Sequence, residues 1–391
     1  MKIAVLGGLG LQGKAAVADL AGSDAVRSIV CADATLDSWE SVTDIMDTSK
    51  IEPVIIDALD KTALIALLRK DVDVVIDLLP LPLMRQAFEA AIEAGVSIVS
   101  TNYSHRLRDL APAAEAAGVA LMTECGLDPG IDLVLYNHAL QSYDEVHVLN
   151  SYCGGLPEAS ACNNPLNYKI SWNWAGVLDS TRRDARAIRD GRLVEIPADR
   201  QHDPEQIHGI DFPGLGRLEA IPNGDAVYFT DLLGVTRTIR ETGRYSLRWP
   251  GWSAFWHSMK RLDFLSDTPG PGLPCEVSPV QFLAAHLGPK LQYEDSEKDL
   301  AVMVNVFEGF SGGESIRRTI RVLIERDLET GLMAMNKGVG FPASIVAQMI
   351  AAGEITATGI LSPAMHVPSR LFLDRLTQRG IRMEEFEEVL S

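Results

Sequence analysis

The opening segment, MKIAVLGGLGLQG, constrains the fold more than any other part of the chain. Its KIAVLG run is short and continuously apolar, which is typical of a strand buried on both faces of a parallel sheet. Gly8, Gly10 and Gly13 follow as G-x-G-x-x-G, and LQGKAAVADLAG then changes to helical spacing and ends at a glycine. A strand, a glycine-rich turn and a helix in this order predict a dinucleotide-binding unit.

The rest of the first third alternates between strand-like and helical runs. RSIVCAD, DVDVVIDLLP, VSIVST and VALMTE have the composition of buried strands, whereas RQAFEAAIEAG and LRDLAPAAEAAG have helical spacing and glycine stops. Strands that alternate with helices of this length form right-handed crossovers on a parallel sheet. We therefore predict an α/β fold whose first domain, residues 1–127, is a Rossmann doubly wound parallel sheet.

The pattern changes after about residue 145 to a polar, aromatic-rich stretch with alternating runs. AVYFTDL, RYSLRW, LAVMVNVFEGF and RTIRVLIERD are interpreted as strands, which predicts a second α+β domain, residues 128–338, with a mixed or antiparallel sheet. Helical spacing returns in GVGFPASIVAQMIAAGEI, with Pro342 near the first helical position and Gly353 as the stop. We expect residues 339–391 to pack back on the Rossmann domain.

Composition excludes several classes of protein. A chain of 391 residues exceeds what one hydrophobic core usually supports. With 35 basic and 53 acidic residues, the formal net charge of −18 disfavours binding to nucleic acid or to anionic membranes. The five cysteines are odd in number, without CxxC spacing or paired histidines, which argues against a disulfide framework and a metal site and for a reducing, cytoplasmic location.

The predicted dinucleotide site extends beyond the glycines. Asp33 lies twenty residues after Gly13, at the end of the second strand, where a carboxylate accepts hydrogen bonds from ribose hydroxyls and repels a 2′-phosphate. No arginine is adjacent in ADATLD, so NAD is predicted, with NADP as the alternative; an ordinary turn aspartate is the competing interpretation. The predicted cofactor-binding residues are Gly8, Gly10, Leu11, Gln12, Gly13, Asp33, Leu79, Pro80 and Thr101.

Two further turns follow predicted strands of the same sheet. LLPLP contains Leu79 and Pro80, and STNYSH contains Thr101 and Tyr103. Ligands bind at the carboxyl ends of strands in such sheets, so Tyr103 is a candidate to face the nicotinamide. An ordinary half-buried tyrosine explains the residue equally well.

The turn in ECGLDPGID carries two acids. A capping aspartate with Pro129 at the first helical position explains Asp128 without any function. The turn also falls on the predicted cofactor edge, and a carboxylate with two oxygens can both cap a helix and bind a substrate ammonium. We expect Asp128 to do both, and we interpret Asp132 as an ordinary acid of the first helical turn.

Six segments together resemble the saccharopine dehydrogenase family, including its L-glutamate-forming saccharopine reductases and its lysine 6-dehydrogenases. They are LGGLGLQGKAAV, AAIEAGVSIVSTNY, ECGLDPGID, SYCGGLPEASACNNPLNYKISW, GRYSLRWPGW and GFPASIVAQMIAAGEI. The resemblance runs from end to end in the same order. It implies a Rossmann domain completed by the C-terminal segment, a central substrate domain, a homodimer, and oxidation of a C–N bond beside the lysine ε-carbon by a nicotinamide cofactor.

The resemblance also implies site residues. Carried over position by position, it places Asp128, Tyr103 and Cys153 near substrate or cofactor and makes Arg244 a carboxylate partner. Such chemistry requires a neutral amine and an activated water, so Asp128 is the first candidate for the acid/base group, with Tyr103 beside it. A small buried packing residue remains the alternative for Cys153.

Residues around those positions extend the predicted substrate site. In RYSLR, alternation puts Arg244 and Arg248 on one face of a strand, where either arginine can bind a carboxylate in a bidentate manner. Surface arginines on an edge strand are the alternative. Tyr168 is a further candidate to contact the substrate, whereas Lys169 is interpreted as a solvated surface lysine.

Two departures from the reductases bear on the substrate. Those enzymes carry an arginine in a Pro-Asn-Arg-Asp segment that helps to bind a substrate with three carboxylates, whereas this chain has PNGDA, with Gly224. They also favour NADP, whereas Asp33 predicts NAD. Three hypotheses stay open: a saccharopine dehydrogenase, a lysine 6-dehydrogenase, and a dinucleotide-binding protein without turnover.

Overall fold

The computed structural model describes residues 1–270 and 276–390. This part of the chain forms two compact units: unit 1 comprises residues 1–138 and 327–382, and unit 2 comprises residues 139–326 and the chain from residue 383 onward. The boundaries after residues 138 and 326 lie near the predicted ones after 127 and 338. The third boundary, after residue 382, has no counterpart in the sequence prediction.

The elements are given in chain order. The strands are β1 Lys2–Leu6, β2 Ser28–Asp33, β3 Ile51–Ile55, β4 Val74–Asp77, β5 Ser97–Ser100, β6 Ala120–Met122, β7 Glu145–Pro157, β8 Ala185–Arg189, β9 Arg192–Ile196, β10 His208–Phe212, β11 Gly216–Pro222, β12 Gly224–Asp225, β13 Glu241–Arg248, β14 Asp299–Ser311, β15 Glu314–Glu325, β16 Gly359–Leu361 and β17 Met383–Val389. The helices are α1 Leu11–Ala21, α2 Glu40–Thr43, α3 Lys61–Leu68, α4 Met84–Ala94, α5 Ala111–Ala117, α6 Ile131–Leu140, α7 Trp174–Ser180, α8 Ala226–Leu232, α9 Trp252–Arg261, α10 Pro279–Leu287, α11 Ala334–Ala351, α12 Pro363–His366 and α13 Ser369–Gln378.

Unit 1 is built on a seven-stranded sheet in the order β16-β6-β5-β4-β1-β2-β3. Every neighbouring pair is parallel, which confirms the predicted doubly wound architecture. The sequence patterns did not predict β3. Its sequence, IEPVI, contains Pro53, which cannot donate to a strand ladder and is tolerated here because β3 is the edge strand.

Helix α11 packs against α1 at a glycine. A β-carbon on Gly340 would come within 2.6 Å of the Gln12 carbonyl oxygen and 2.7 Å of the Ala16 backbone nitrogen, so only glycine allows this approach. Pro342 does not lie near the first helical position as predicted, because α11 begins at Ala334 and encloses the proline. The predicted stop is correct: Gly353 follows the helix with φ +73°.

Unit 2 contains a ten-stranded mixed sheet, as predicted. Its main path is β10-β11-β13-β7-β14-β15-β17, with β8, β9 and β12 attached to it. The pairs β13–β7 and β12–β8 are parallel, whereas the other pairs are antiparallel.

One predicted strand of unit 2 is wrong. AVYFTDL forms the helix α8, and its buried residues Ala226, Val227, Phe229 and Thr230 have helical rather than alternating spacing. The side chain of Asp225 caps the helix by accepting a hydrogen bond from the backbone nitrogen of Tyr228.

The last strand also departs from the prediction that residues 339–391 all pack on the Rossmann domain. Strand β17 pairs with β15 of unit 2 over seven residues, and its glutamates meet arginines of β15. Arg318 contacts Glu385 at 2.9 Å and Glu387 at 2.7 Å, and Arg317 contacts Glu388 at 2.8 Å.

Three further observations concern the described residues. None of their helices combines the length and the apolar character needed to cross a membrane. Cys31, Cys125, Cys153 and Cys162 form no disulfides, and Cys275 lies outside the described residues. Within the same ranges, no group of three or more histidines, cysteines or acids is placed to hold a metal ion.

Candidate functional site

The glycine-rich turn between β1 and α1 is closely packed. A β-carbon on Gly13 would lie 2.1 Å from the Gly7 carbonyl oxygen, and one on Gly8 would lie 2.6 Å from the Cys31 sulfur. The positive φ of the turn falls on Gly7, at +75°, a residue outside the predicted motif. The GG dipeptide at residues 7–8 was the available signal for it.

The N-terminus of α1 fits a dinucleotide pyrophosphate. Among the described residues, no side chain caps this helix, whose N-cap is Gly10. Its first-turn backbone N–H groups, at Leu11, Gln12 and Gly13, are therefore placed to donate to an anion, and the helix dipole favours negative charge there. Leu11 is exposed and Gln12 is half-buried, so both lie at the surface that such a ligand would contact.

Asp33 holds the glycine-rich turn in place. Its Oδ2 accepts a hydrogen bond from the Leu9 backbone nitrogen at 3.0 Å, and its Oδ1 accepts one from the Ala34 nitrogen at 2.8 Å. A carboxylate has about four acceptor sites, and the side chain is only half-buried. Asp33 therefore orders the turn and retains capacity for ribose hydroxyls.

The turns after β4 and β5 lie on the same sheet edge. Gly7 is packed against the Leu78 carbonyl, where a β-carbon would come within 2.9 Å. Leu79 is half-buried and Pro80 is exposed. Thr101 lies near Gly126, since a β-carbon built on that glycine would be 3.6 Å from the threonine Cβ.

Asp77, at the end of β4, is a buried acid that the sequence patterns did not identify. Its carboxylate accepts hydrogen bonds from the Ser100 hydroxyl at 2.9 Å and from the Leu79 backbone nitrogen at 3.2 Å. Burial nevertheless dominates and raises the pKa of Asp77 to about 7. This carboxyl group therefore titrates near neutral pH at the edge of the predicted cofactor site.

Glu124, just beyond β6, is a second buried acid that was not identified. Its backbone adopts φ +64°, which is unusual for a residue with a side chain. The carboxylate accepts hydrogen bonds from the Ser104 nitrogen and hydroxyl and from the Ser362 hydroxyl. It thereby joins the segments that follow β5, β6 and β16.

The turn that carries Asp128 differs from the prediction. Val134 donates to the Gly130 carbonyl, so Gly130 is the N-cap of α6 and Asp128 is not. The Asp128–Pro129 peptide is cis, and Pro129 precedes the helix, which begins at Ile131. Asp132 lies in the first turn as expected, and its side chain accepts a hydrogen bond from the Gly130 nitrogen at 2.8 Å. Asp128 lies in the turn between β6 and α6 and is half-buried.

Tyr103 follows β5 on the same edge as Asp128 and is also half-buried. The next residue, Ser104, is bonded to Glu124 through its backbone nitrogen, so the buried acid fixes the segment that carries the tyrosine. The structure thus assembles the candidate residues of unit 1 at the carboxyl ends of β1, β2, β4, β5 and β6.

The two candidate arginines of unit 2 are buried rather than on a surface edge. Arg244 and Arg248 lie on β13, an interior strand between β11 and β7, and are 3% and 6% exposed. The edge-strand alternative is therefore wrong. The Arg244 guanidinium lies 4.6 Å from the centre of the Phe229 ring, and that of Arg248 lies 5.1 Å from the Trp252 ring.

Cys153 and Tyr168 lie near Arg248. Ser246 of β13 pairs with Cys153 of β7, and the Arg248 guanidinium is 5.6 Å from the centre of the Tyr168 ring. Burial raises the pKa of Tyr168 to about 12, and burial lowers the pKa of Arg248. The tyrosine therefore stays protonated at neutral pH.

Lys169 is not the solvated surface lysine that was predicted. It is 3% exposed, and its Nζ contacts both carboxylate oxygens of Glu297, at 2.5 and 2.6 Å. Partial burial opposes ionisation of Glu297, but the hydrogen bonds from Lys169 and from the Glu294 backbone outweigh it and lower the pKa of Glu297. The partner is 128 residues away, so no local pattern indicated this ion pair.

Gly224 lies beside Arg244, because the Asn223 nitrogen donates to the Arg244 carbonyl at 2.8 Å. It adopts φ +72°, and a β-carbon there would meet no atom of the described residues within 4 Å. The nearby cation, Arg186, is paired with Asp225 at 2.8 Å. Position 224 therefore contributes no side chain, and the charge of Arg186 is already balanced.

Comparison with known proteins identifies the same two-part organisation. The saccharopine dehydrogenase NADP binding domain matches residues 3–122, and the saccharopine dehydrogenase C-terminal domain matches residues 126–381. The chain is 27% identical to saccharopine dehydrogenase [NADP(+), L-glutamate-forming] of Schizosaccharomyces pombe, over 80% of this chain and 84% of that protein. It is also 27% identical to the mitochondrial alpha-aminoadipic semialdehyde synthase of Mus musculus, over 85% of this chain and 42% of that protein.

A solved structure agrees with these matches at the level of the fold. The apo, histidine-tagged saccharopine dehydrogenase (L-Glu forming) from Saccharomyces cerevisiae superimposes with a TM-score of 0.85 at 24% identity, and the match covers 99% of each chain. The fold, the glycine-rich turn and the two family domains, matched in order along almost the whole length, lead to one assignment: this chain belongs to the saccharopine dehydrogenase family.

Proposed function

We propose that this chain is an NAD(P)-dependent oxidoreductase acting on the C–N bond of an amino acid, of the saccharopine dehydrogenase (L-glutamate-forming) type. The observation that carries the proposal is the ordered match of both family domains, over residues 3–122 and 126–381. Two features support it. Among the described residues no side chain caps the N-terminus of α1, which suits the phosphates of a dinucleotide. The buried arginines Arg244 and Arg248 suit a substrate that carries carboxylates.

The reaction has simple requirements. A secondary amine, R–CH₂–NH–R′, loses a hydride from carbon and a proton from nitrogen to give an imine. Water then adds, and the C–N bond breaks to give the aldehyde R–CHO and the amine H₂N–R′. A bound nicotinamide dinucleotide supplies the hydride acceptor. The protein has to bind the carboxylates, keep the substrate nitrogen neutral and move a proton to and from water.

Specific residues are proposed for these tasks. Asp128 is the acid/base group, and Tyr103, which follows another strand on the same sheet edge, is the second catalytic residue. Arg244 and Arg248 bind substrate carboxylates, since planar guanidinium groups match them in a bidentate manner. Cys153 and Tyr168 line the substrate site next to Arg248.

The cofactor residues proposed are the glycine-rich turn, the first turn of α1, and Leu79, Pro80 and Thr101 on the same edge. Asp33 favours NAD, because its negative charge opposes a 2′-phosphate. The family domain that covers this region is described as NADP binding, so NADP is the alternative.

A lysine 6-dehydrogenase is the second candidate function. It is favoured by Gly224, which supplies no cation where the reductases carry an arginine, while the neighbouring Arg186 is neutralised by Asp225. Fewer cations suit a substrate with fewer carboxylates. In this case the ε-amine of free lysine is oxidised, and hydrolysis of the imine releases ammonia.

One assay separates these candidates. Formation of reduced nicotinamide is measured with saccharopine and with lysine, each with NAD and with NADP. Turnover of saccharopine supports the first proposal, turnover of lysine alone supports the second, and no turnover with dinucleotide still bound supports a non-catalytic dinucleotide-binding protein.

The role of Asp128 is tested in the same assay. Replacing Asp128 by Ala or Asn should lower kcat about 100-fold or more, with dinucleotide affinity unchanged. Asp109→Ala is the matched control, because Asp109 is an exposed acid paired with Arg85, and it should keep full activity. Activity of the Asp128 variants within a few-fold of the parent protein would assign the acid/base role elsewhere.

The family resemblance also supports a homodimer, and the cysteine pattern supports a cytoplasmic location. Light scattering on the purified protein tests the first, since a dimer has twice the 42.5 kDa mass of the chain. Localisation of a fluorescent fusion tests the second.

A further inference from the structure

A row of polar side chains crosses three adjacent strands of unit 2. Arg244 of β13 is directly opposite Ser151 of β7, and Ser151 is directly opposite Asn305 of β14. Directly opposite residues project from the same face of a sheet. All three are buried: Arg244 is 3% exposed, and Ser151 and Asn305 are fully covered. Of these, only the arginine was identified from the sequence.

Asn305 interrupts an apolar stripe. The residues that share its face of β14 are Ala301, Met303 and Phe307, which are buried and hydrophobic. Its neighbour on β15, Ile320, is also buried and hydrophobic. A leucine or methionine at position 305 would continue this stripe, so packing does not account for an asparagine.

Neither polar atom of the Asn305 amide has a hydrogen-bond partner among the described residues, although both atoms are buried. Burying an amide without partners costs stability, and native proteins rarely retain such a group without a role. The amide offers one acceptor, Oδ1, and a donor group, Nδ2. A ligand that satisfies both atoms must itself present a donor and an acceptor close together.

We propose that Asn305 binds the α-amino-acid head group of the substrate, an inference that rests on the function proposed above. Oδ1 accepts a hydrogen bond from the α-ammonium, and Nδ2 donates one to the α-carboxylate. An amine without a carboxylate would leave Nδ2 unpaired, and a dicarboxylate without an amine would leave Oδ1 unpaired. Arg244, on the same face two strands away, adds the positive charge that attracts a carboxylate.

The main test replaces Asn305 by Leu, which keeps the branched shape and the number of heavy atoms and removes both polar atoms. The affinity for saccharopine and for lysine, measured by calorimetry, should fall about tenfold or more, while the dinucleotide Kd stays within twofold. The variant should unfold at the same or a higher temperature than the parent protein, because an unpaired buried amide has been removed.

Asn150→Leu is the matched control. Asn150 is also a buried asparagine of this sheet, but it lies next to Ser151 on the strand and therefore projects from the opposite face, where its Nδ2 donates to Glu241. Its replacement should lower the unfolding temperature and leave amino-acid affinity unchanged. The two variants thus separate loss of stability from loss of binding.

Asn305→Asp serves if the leucine variant does not fold. A carboxylate at position 305 keeps the acceptors and repels the α-carboxylate, so it should weaken lysine binding about tenfold while lysinamide, which lacks a carboxylate, binds at least as well as to the parent protein. Equal losses for lysine and lysinamide would overturn the proposal.

The outcomes distinguish this inference from its premise. If the parent protein oxidises saccharopine or lysine and Asn305→Leu binds that substrate normally, the inference falls and the function stands. If neither substrate is oxidised but amino acids bind the parent protein and not Asn305→Leu, the inference stands and the reaction is reassigned. If no amino acid binds the parent protein, both fall.

Discussion

The Ser362 hydroxyl donates a hydrogen bond to the Glu124 carboxylate at 3.0 Å, although the two residues are 238 positions apart. The other carboxylate oxygen of Glu124 accepts from the nitrogen and the hydroxyl of Ser104. A single buried acid therefore connects the ends of three strands. It also fixes the segment next to Tyr103.

Replacing Glu124 by Ala should lower the free energy of unfolding by about 3 kcal/mol, because buried donors lose their acceptor. Ser362→Ala removes one of these bonds and should cost about 1 kcal/mol. Urea denaturation measures both. A Glu124→Ala protein as stable as Ser362→Ala would mean that the remaining bonds contribute nothing.

Gly13→Ala should destabilise the protein by at least about 3 kcal/mol, because the new β-carbon would overlap the Gly7 carbonyl oxygen and no flexible side chain can move aside. Dinucleotide affinity should fall with it. Gly22, at the other end of α1, is the control: a β-carbon there makes ordinary contacts at 3.7 Å. Gly22→Ala should change stability by less than about 1 kcal/mol in denaturant unfolding, and equal effects at both positions would contradict the role of close packing.

Asp33→Ser should raise the ratio of kcat/KM with NADP to that with NAD at least about tenfold, because the charge that opposes a 2′-phosphate is gone. Asp37→Asn removes one negative charge from an exposed position nearby and should leave the ratio unchanged. An unchanged ratio for Asp33→Ser would remove the basis for predicting NAD.

Asp77 should make the protein less stable as the pH rises. Its folded-state pKa of about 7 lies above its ordinary value, so between roughly pH 4 and 7 the folded state holds a proton that the unfolded state has lost. The contribution of Asp77 to the free energy of unfolding is therefore fully present at low pH and is lost as the pH rises through about 7. Asp77→Asn, which does not titrate, should lose less stability than the parent protein between pH 5 and 8 in urea unfolding. Parallel pH profiles would show that Asp77 ionises normally.

Buried Lys169 pairs with the partly buried Glu297, so removing the lysine leaves the carboxylate without its cation. Lys169→Met should cost about 1–3 kcal/mol, whereas the double variant Lys169→Met with Glu297→Leu should cost distinctly less. Thermal and urea unfolding of both variants measure the difference. Additive losses would mean that the two side chains do not interact.

Elements with a local signal were predictable. Strand β1, the glycine-rich turn and α1 follow from consecutive residues, and so do β13, β14 and β15. Strand β3 was missed because Pro53 is unfavourable in a strand unless the strand lies at an edge, and edge position is a property of the whole sheet. Helix α8 was predicted as a strand because seven residues are too few to separate the two periodicities.

The residues of the candidate site were likewise predictable only where the signal is local in the sequence. Asp33 was predictable because its place follows from the motif spacing. Asp77, Glu124 and Asn305 were not, since each is defined by partners or neighbours far away in sequence. The burial of Arg248 could not be predicted either, because the residues that cover the two faces of a strand come from other segments of the sequence.

The composition of β17 also bears on how copies of the protein would meet one another. β17, MEEFEEV, carries four glutamates, and Arg317 and Arg318 of β15 balance their charge only in part, so the terminal strand of the sheet keeps excess negative charge. Unprotected sheet edges invite further strands and lead to aggregation. A second β17 brought alongside would place carboxylates against carboxylates, so this acidic edge should keep concentrated protein from polymerising strand by strand.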